Sequence, residues 1–404
     1  MRKIELLVPA SSLEVLKIAV IFGADAVYIG GEIFGMRSAA KNFTIEEMKE
    51  GVEFAHNLGK QVFVTINIIP RSEELEQLPP YLLQLQEIGV DAVIVSDAGV
   101  FSIVKKTIPN MEVHISTQAS TSNSVAAKFW YEQGAQRVVT ARELSFDEIR
   151  AIRDNVPEDM DIEAFVHGAM CMSYSGKCVI SNYTTGRDAN KGSCAQSCRW
   201  KYNLVEEKDG EYENVLDNED YQFFFNTKDL CMIKYIPQIF DSGITSLKIE
   251  GRMKSPFYVA TVTKIYRKYI DLALSDNDYI IDPEDRKILL QVFNRGMSSS
   301  GHLSNEGNRN LVFKEKPNNM GLFLGKIQKY NSQKGYITIK LNEPIEIGDT
   351  ISLEQETGSY TISELMDMNH NNITSTKIGQ TVIIGRMKGN IKLGSKIYKM
   401  SSKQ

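Results

Sequence analysis

Along the first two thirds of the chain, the apolar pattern switches repeatedly between a helical period and short β-branched runs. Five times a helix-like stretch ends at a glycine and such a run follows: FGADAVYIG, LGKQVFVTI, IGVDAVIVS, QGAQRVVTA and SGITSLKIE. Gly23, Gly59, Gly89, Gly134 and Gly243 suit the left-handed conformation that ends a helix, and each following run suits a strand buried on both faces. LLVPA near the start, VHIST at 113–117 and IEAFVHG at 162–168 bring the predicted strands to eight. Eight strands in roughly 250 residues favour a closed barrel over an open doubly wound sheet. The fold class expected is α/β: a (β/α)8 TIM-type barrel with an insertion after strand 7, followed by a small all-β barrel domain.

In such a barrel the chemistry sits where the strands end. Those ends carry Tyr28 with Gly30 and Gly31, Asn67, Ser96 with Asp97, Thr117 with Gln118, Arg142 with Glu143, His167 with Gly168, and Glu250 with Arg252. Ser96, Asp97 and Thr117 are also of the types that cap helices. The regular spacing fails after VHG, where an insertion of about 169–222 holds four cysteines and then an acidic stretch, EEKDGEYENVLDNED, expected as an exposed hairpin. KDLCMIKYIPQIF is expected to be helical, and SPFYVATVTKIYRKYIDLAL is expected to close the barrel, which gives a catalytic domain over 1–275. Residues 276–320 are predicted to be a connector. From Gly321 the pattern alternates with Gly and Asn turns, predicting a β-barrel over 321–404.

Composition narrows the class. The chain of 404 residues has 46 basic and 51 acidic side chains, a formal net charge of −5, so its overall field does not mark a nucleic-acid binder. A local basic face is needed for that, and the stretch after Asp367 offers seven Lys or Arg with no Asp or Glu. No apolar run approaches the roughly 18 residues that span a bilayer, so the expectation is a cytoplasmic protein without a membrane partner. Five cysteines without a secretion signal point to metal or thiol chemistry rather than a disulfide framework.

Cys171, Cys178, Cys194 and Cys198 crowd one irregular segment, with Cys231 further on. Buried structural thiols, a zinc site lacking the usual C-x2-C knuckle, and an iron–sulfur cluster on Cys171, Cys178, Cys194 and Cys231 are the competing readings. Spacing alone does not choose between iron and zinc. A cysteine protease pairing His167 with Cys171 is the reading from another class, although a strand followed by a loop does not hold residues four apart in register.

EAFVHGAMCMSYSGKCVIS at 163–181 resembles the signature of the collagenase-like peptidase family U-32, through Glu163, Phe165, Gly168, Cys171, Gly176, Cys178 and Ser181. GADAVYIGG, STQAS, RVVTAREL, NTKDLC, SLKIEGRMKS and FNRG extend the resemblance over most of the chain. Some members of the family are described as collagenases. Several branches support oxygen-independent hydroxylation, of tRNA wobble uridine, of ribosomal RNA or of a quinone precursor. The resemblance implies a cluster of the 4Fe-4S type on Cys171, Cys178, Cys194 and Cys231, with Cys198 as the spare. It also implies prephenate as co-substrate, tRNA as partner, and a paralogous family member or an electron donor as a further partner. Arg37, Arg142 and Arg252 are then the expected cations for prephenate's carboxylates, because guanidinium binds a carboxylate through two parallel hydrogen bonds. The expected catalytic set is His167, Glu163, Arg142 and Glu250. A U-32-type peptidase and a non-catalytic RNA-binding adaptor are the alternatives.

Overall fold

The computed structural model describes residues 4–36, 42–215, 222–275, 278–299, 311–314, 317, 319–354, 358–389 and 391–401. The β-branched runs become strands β1 (Glu5–Pro9), β2 (Ala26–Gly30), β3 (Gln61–Ile66), β4 (Ala92–Val95), β5 (Glu112–Ile115), β6 (Arg137–Val139) and β7 (Asp161–Ala169). After the exposed hairpin β8 (Val205–Lys208) and β9 (Glu211–Asn214) come β10 (Asp229–Cys231) and β11 (Ser246–Ile249). Strands β1 to β7 pair in sequence order and in parallel, and β11 pairs in parallel with both β7 and β1. The barrel is therefore closed with eight strands. Closure leaves no edge and explains why most of these strand residues are buried on both faces.

Helices α1 (Leu13–Ile21), α2 (Ile45–Asn57), α3 (Leu78–Glu87), α4 (Ala98–Thr107), α5 (Ser124–Glu132) and α6 (Phe146–Arg153) follow the first six strands. Side chains written into the sequence start them: Thr44 and Ser145 form capping boxes with Glu47 and Glu148, and Asp97 accepts from the Gly99 and Val100 amides. The five predicted helix-ending glycines all adopt positive φ, between 65° and 110°. Within the insertion lies α7 (Ile180–Thr185); α8 (Ile236–Asp241) and α9 (Pro256–Leu274) flank β11 in sequence, with Ser255 capping α9.

One local expectation is corrected. KDLCMIKYIPQIF is not one helix: its first part is β10, antiparallel to β7, and only α8 is α-helical. The nine-residue β7 outruns the barrel, and its protruding end needs hydrogen-bond partners that a strand supplies and a helix does not.

The chain forms two compact units, one of residues 1–200, 225–281 and 297–312, the other of residues 201–224, 282–296 and 313–404. Within 276–320 lie helix α10 (Pro283–Gln291) and strand β12 (Met297–Ser298), the latter parallel to β10. The second unit carries β13 (Leu322–Asn331), β14 (Tyr336–Lys340), β15 (Thr350–Leu353), β16 (Tyr360–Thr361), β17 (Leu365–Met366), β18 (Thr381–Ile384) and β19 (Lys396–Ser401). They make a curled antiparallel sheet around Leu324, Ile337, Ile339, Ile351, Val382 and Ile397.

Candidate functional site

At the C-terminal mouth of the barrel an open cavity of about 50 Å³ is lined by residues from nearly every strand end, among them Tyr28, Asn67, Ser116, Thr117, Gln118, Arg142, Phe165, Lys248, Glu250 and Arg252. Three of these are cations and one is a carboxylate. Arg252 is buried: its guanidinium donates to Thr65 Oγ1 at 3.2 Å and Asn42 Oδ1 at 2.9 Å. It fits because residue 30 is glycine, where a Cβ would come within 2.1 Å of Nη2. Arg142 lies 4.3 Å over the Phe165 ring, and its buried Nε donates to no group among the described residues. Tyr28 donates to the Ile249 carbonyl at 2.9 Å and approaches Glu250 Oε2 at 3.3 Å. Arg37 lies outside the described residues.

Below the cavity the barrel interior is ionic. Glu163, fully buried, accepts from Lys248 at 2.6 Å and Arg137 at 3.0 Å, and Arg137 also binds Glu5 at 2.6 Å. Burial alone would raise the Glu163 carboxyl, but Lys248 and Arg137 outweigh it and hold it at about 2. Glu163 thus belongs to an ion network that fixes Lys248 in the cavity wall, and it does not line the cavity itself. Its place is two residues before Phe165, one pleat deeper in the barrel.

His167 is turned away from the cavity, contrary to its expected place at the rim. Lys248 pairs with Phe165 but Ile249 pairs with His167, so β7 carries one extra residue there. That bulge inverts the alternation of faces. His167 packs outward against Tyr258 and Tyr266, with Nδ1 3.3 Å from the Tyr266 hydroxyl. Burial, helped by Lys254, lowers it to about 3, so it is neutral.

None of the five cysteines is in a disulfide, and all are half-buried. Hydrogen bonds tie their segment together: Cys178 exchanges backbone bonds with the Asn190 amide at 3.1 and 3.0 Å, and the Gln196 N–H donates to Cys194 Sγ at 3.3 Å. Glu143 reaches up from the end of β6 and accepts from both the amide and the hydroxyl of Ser175 at 2.6 Å, anchoring the cysteine loop to the barrel. Cys198 is raised by burial, opposed by Arg199, and the thiols of Cys171, Cys194 and Cys178 push it further up. Those four are therefore electrostatic neighbours. Cys231 instead sits on β10 opposite His167, and its thiol interacts with Tyr266. Among the described residues, no three His, Cys, Asp or Glu side chains converge tightly enough to hold a single metal ion.

The model of Peptidase family U32 matches residues 11–312. The chain belongs to that family. This U32 chain is 41% identical to tRNA hydroxylation protein P1 of Bacillus subtilis, over 98% of the chain and 93% of the relative. It is 31% identical to a collagenase of Porphyromonas gingivalis, over 99% and 98%. It is 35% identical to the 23S rRNA 5-hydroxycytidine C2501 synthase of Escherichia coli, over 87% of the chain and 52% of that protein.

Within this U32 cavity, Tyr28, Asn67, Thr117, Gln118, Arg142, Glu250 and Arg252 were legible from strand ends. Lys248 and Phe165 were not, because both lie inside apolar strand runs. A lysine in the middle of SLKI was the available signal, since a lysine is almost never buried without a partner.

Proposed function

We propose that the chain acts in RNA hydroxylation, as the 5-hydroxylation of the tRNA wobble uridine in a prephenate-dependent reaction that does not use dioxygen. The observation that carries the reading is the polar, cation-bearing cavity at the barrel mouth, whose wall is anchored through Glu143 to a loop of thiols. The near full-length likeness to a tRNA hydroxylation protein supports the substrate class. In this reading Arg142 and Arg252 hold the carboxylates of prephenate, Lys248 adds a third positive charge that Glu163 keeps in place, and Glu250 with Tyr28 is the proton-carrying pair nearest the bound groups. The catalytic roles first given to His167 and Glu163 pass to these cavity residues.

The thiols suit an iron–sulfur cluster better than one ion. A four-iron cluster spreads its thiolates over separate irons, so its ligands stand farther apart than those of a zinc ion. Cys171, Cys178 and Cys194 are three ligands of the proposed cluster, and Cys198, their electrostatic neighbour, is the fourth in place of Cys231. When bound, such a cluster supplies electron transfer or a site for a reacting group. A redox partner protein delivers the electrons.

Deleting the gene is expected to remove the mass of one oxygen atom from the wobble nucleoside of tRNA, read by mass spectrometry, and a plasmid copy should restore it. Unchanged tRNA in the deletion strain would overturn the reading. The peptidase reading that pairs His167 with Cys171 lacks support in the geometry, because His167 packs outward against Tyr258 and Tyr266.

A further inference from the structure

The cavity holds two carboxamides that the cation chemistry does not use. Gln118, 8% exposed, follows β5 in the STQAS motif, and its buried Oε1 accepts no hydrogen bond among the described residues. The buried Oδ1 of Asn67, after β3, is likewise unpartnered. Ser116 Oγ lies between the two residues: it accepts from Asn67 Nδ2 at 3.4 Å and from the backbone N–H of Gln118 at 3.3 Å. On its other side the Gln118 carboxamide presses on the cysteine loop at Gly176, which has φ +84°; a Cβ there would lie 2.6 Å from Nε2. The loop thus leaves room for this amide through a glycine, and its carbonyl oxygen accepts no hydrogen bond among the described residues.

Unpaired buried acceptors call for a ligand that brings donors. Carboxylates bring none, so these amides are not matched to the groups that Arg142 and Arg252 suit. A primary amide presents an acceptor and a donor side by side whichever way it is turned. The complement is a ring N–H next to a carbonyl, as on the imide edge of uracil. Enzymes that act on a base take it out of the stack and read that edge by hydrogen bonds inside a pocket.

We propose that Gln118, assisted by Asn67, reads the imide edge of the target uridine, its carbonyl accepting from the ring N3–H and its NH2 donating to the adjacent ring carbonyl. The inference rests on the RNA-hydroxylation reading and adds the residue that selects the base. Bound by this edge, the base leaves C5 unobstructed.

The test compares two anticodon stem-loop RNAs, one with uridine and one with 3-methyluridine at the wobble position, by fluorescence anisotropy with the full-length protein. The wild type should prefer uridine by ~10- to 100-fold, the range of one bidentate base contact. Gln118→Met should bind both RNAs equally. Gln118→Glu, nearly isosteric but unable to donate, should also lose most of the preference, and similar melting temperatures for both variants would show that folding is intact. A wild type that tolerates the methyl group, or a Gln118→Met variant that still discriminates, overturns the inference while RNA hydroxylation stands. A wild type that binds neither RNA and leaves the uridine unmodified overturns the RNA reading and this inference with it.

Discussion

Lys248 shows how much one side chain depends on partners distant in sequence. Its ammonium is 2.6 Å from Glu163 and 4.6 Å from the centre of the Tyr28 ring, and it is 4% exposed. Glu163→Ala would leave Lys248 and Arg137 buried beside a lost counter-charge, so we expect a loss of about 3–5 kcal/mol in urea unfolding. Arg142→Gln should leave the urea midpoint nearly unchanged, because Arg142 makes no ion pair among the described residues. It should weaken prephenate binding in titration calorimetry by ~10- to 100-fold, as expected for hydrogen bonds to a charged group. His114 sets an acid limit. It is fully buried among Arg137, Glu163, Lys248 and Asp161, with Glu112 at 3.0 Å, and burial followed by the Arg137 charge lowers it well below 6.5. The unfolded chain therefore binds the extra proton as the pH falls. Stability present above about pH 6.5 should decline below it, by up to ~1.4 kcal/mol per pH unit for each of His114 and His167, and His114→Phe should remove about half of that slope in urea titrations.

Among the elements, the bulge in β7 and the cysteine loop decide the site. A regular strand over IEAFVHG would put Glu163, Phe165 and His167 on one face, and the single extra residue before His167 turns that last side chain away. No local signal announces it, because the bulge is set by how β11 and β7 meet across the closing seam of the barrel. Strand ends, by contrast, were legible, since helix-ending glycines and N-caps fix where each loop starts. The loop itself gives a test by iron and acid-labile sulfide analysis after anaerobic purification. Cys198→Ser should lose both, as should Cys178→Ala, while Cys231→Ser should retain them. The reverse pattern would return the fourth ligand to Cys231.

Taken whole, the molecule is two units whose boundaries do not follow chain order. The curled-sheet unit takes in residues 282–296, where Leu289 of α10 is fully buried, and residues 201–224 as well. A fragment of 321–404 lacks α10, so it should unfold at lower temperature than one of 282–404, by several degrees in circular dichroism melts. Equal melting would mean that the sheet's core needs no helix. Among the described residues no helix is long and apolar enough to cross a membrane.

The sequence by itself determined the eight-strand α/β repeat, the following β-rich segment, the cations and amides at strand ends, and the crowding of cysteines. These are local properties: a glycine that ends a helix, a β-branched run that suits a strand, a capping hydroxyl. Tertiary structure decided what faces the cavity. Closure of β11 onto β1 and β7 put Lys248 in the wall, the bulge turned His167 out, and Glu163 became the counter-charge beneath. The loop fold brought Cys198 within electrostatic reach of Cys171, Cys178 and Cys194, while Cys231 interacts with Tyr266. Each of these depends on pairing between residues far apart in the chain, and a local pattern carries no record of register across such a seam.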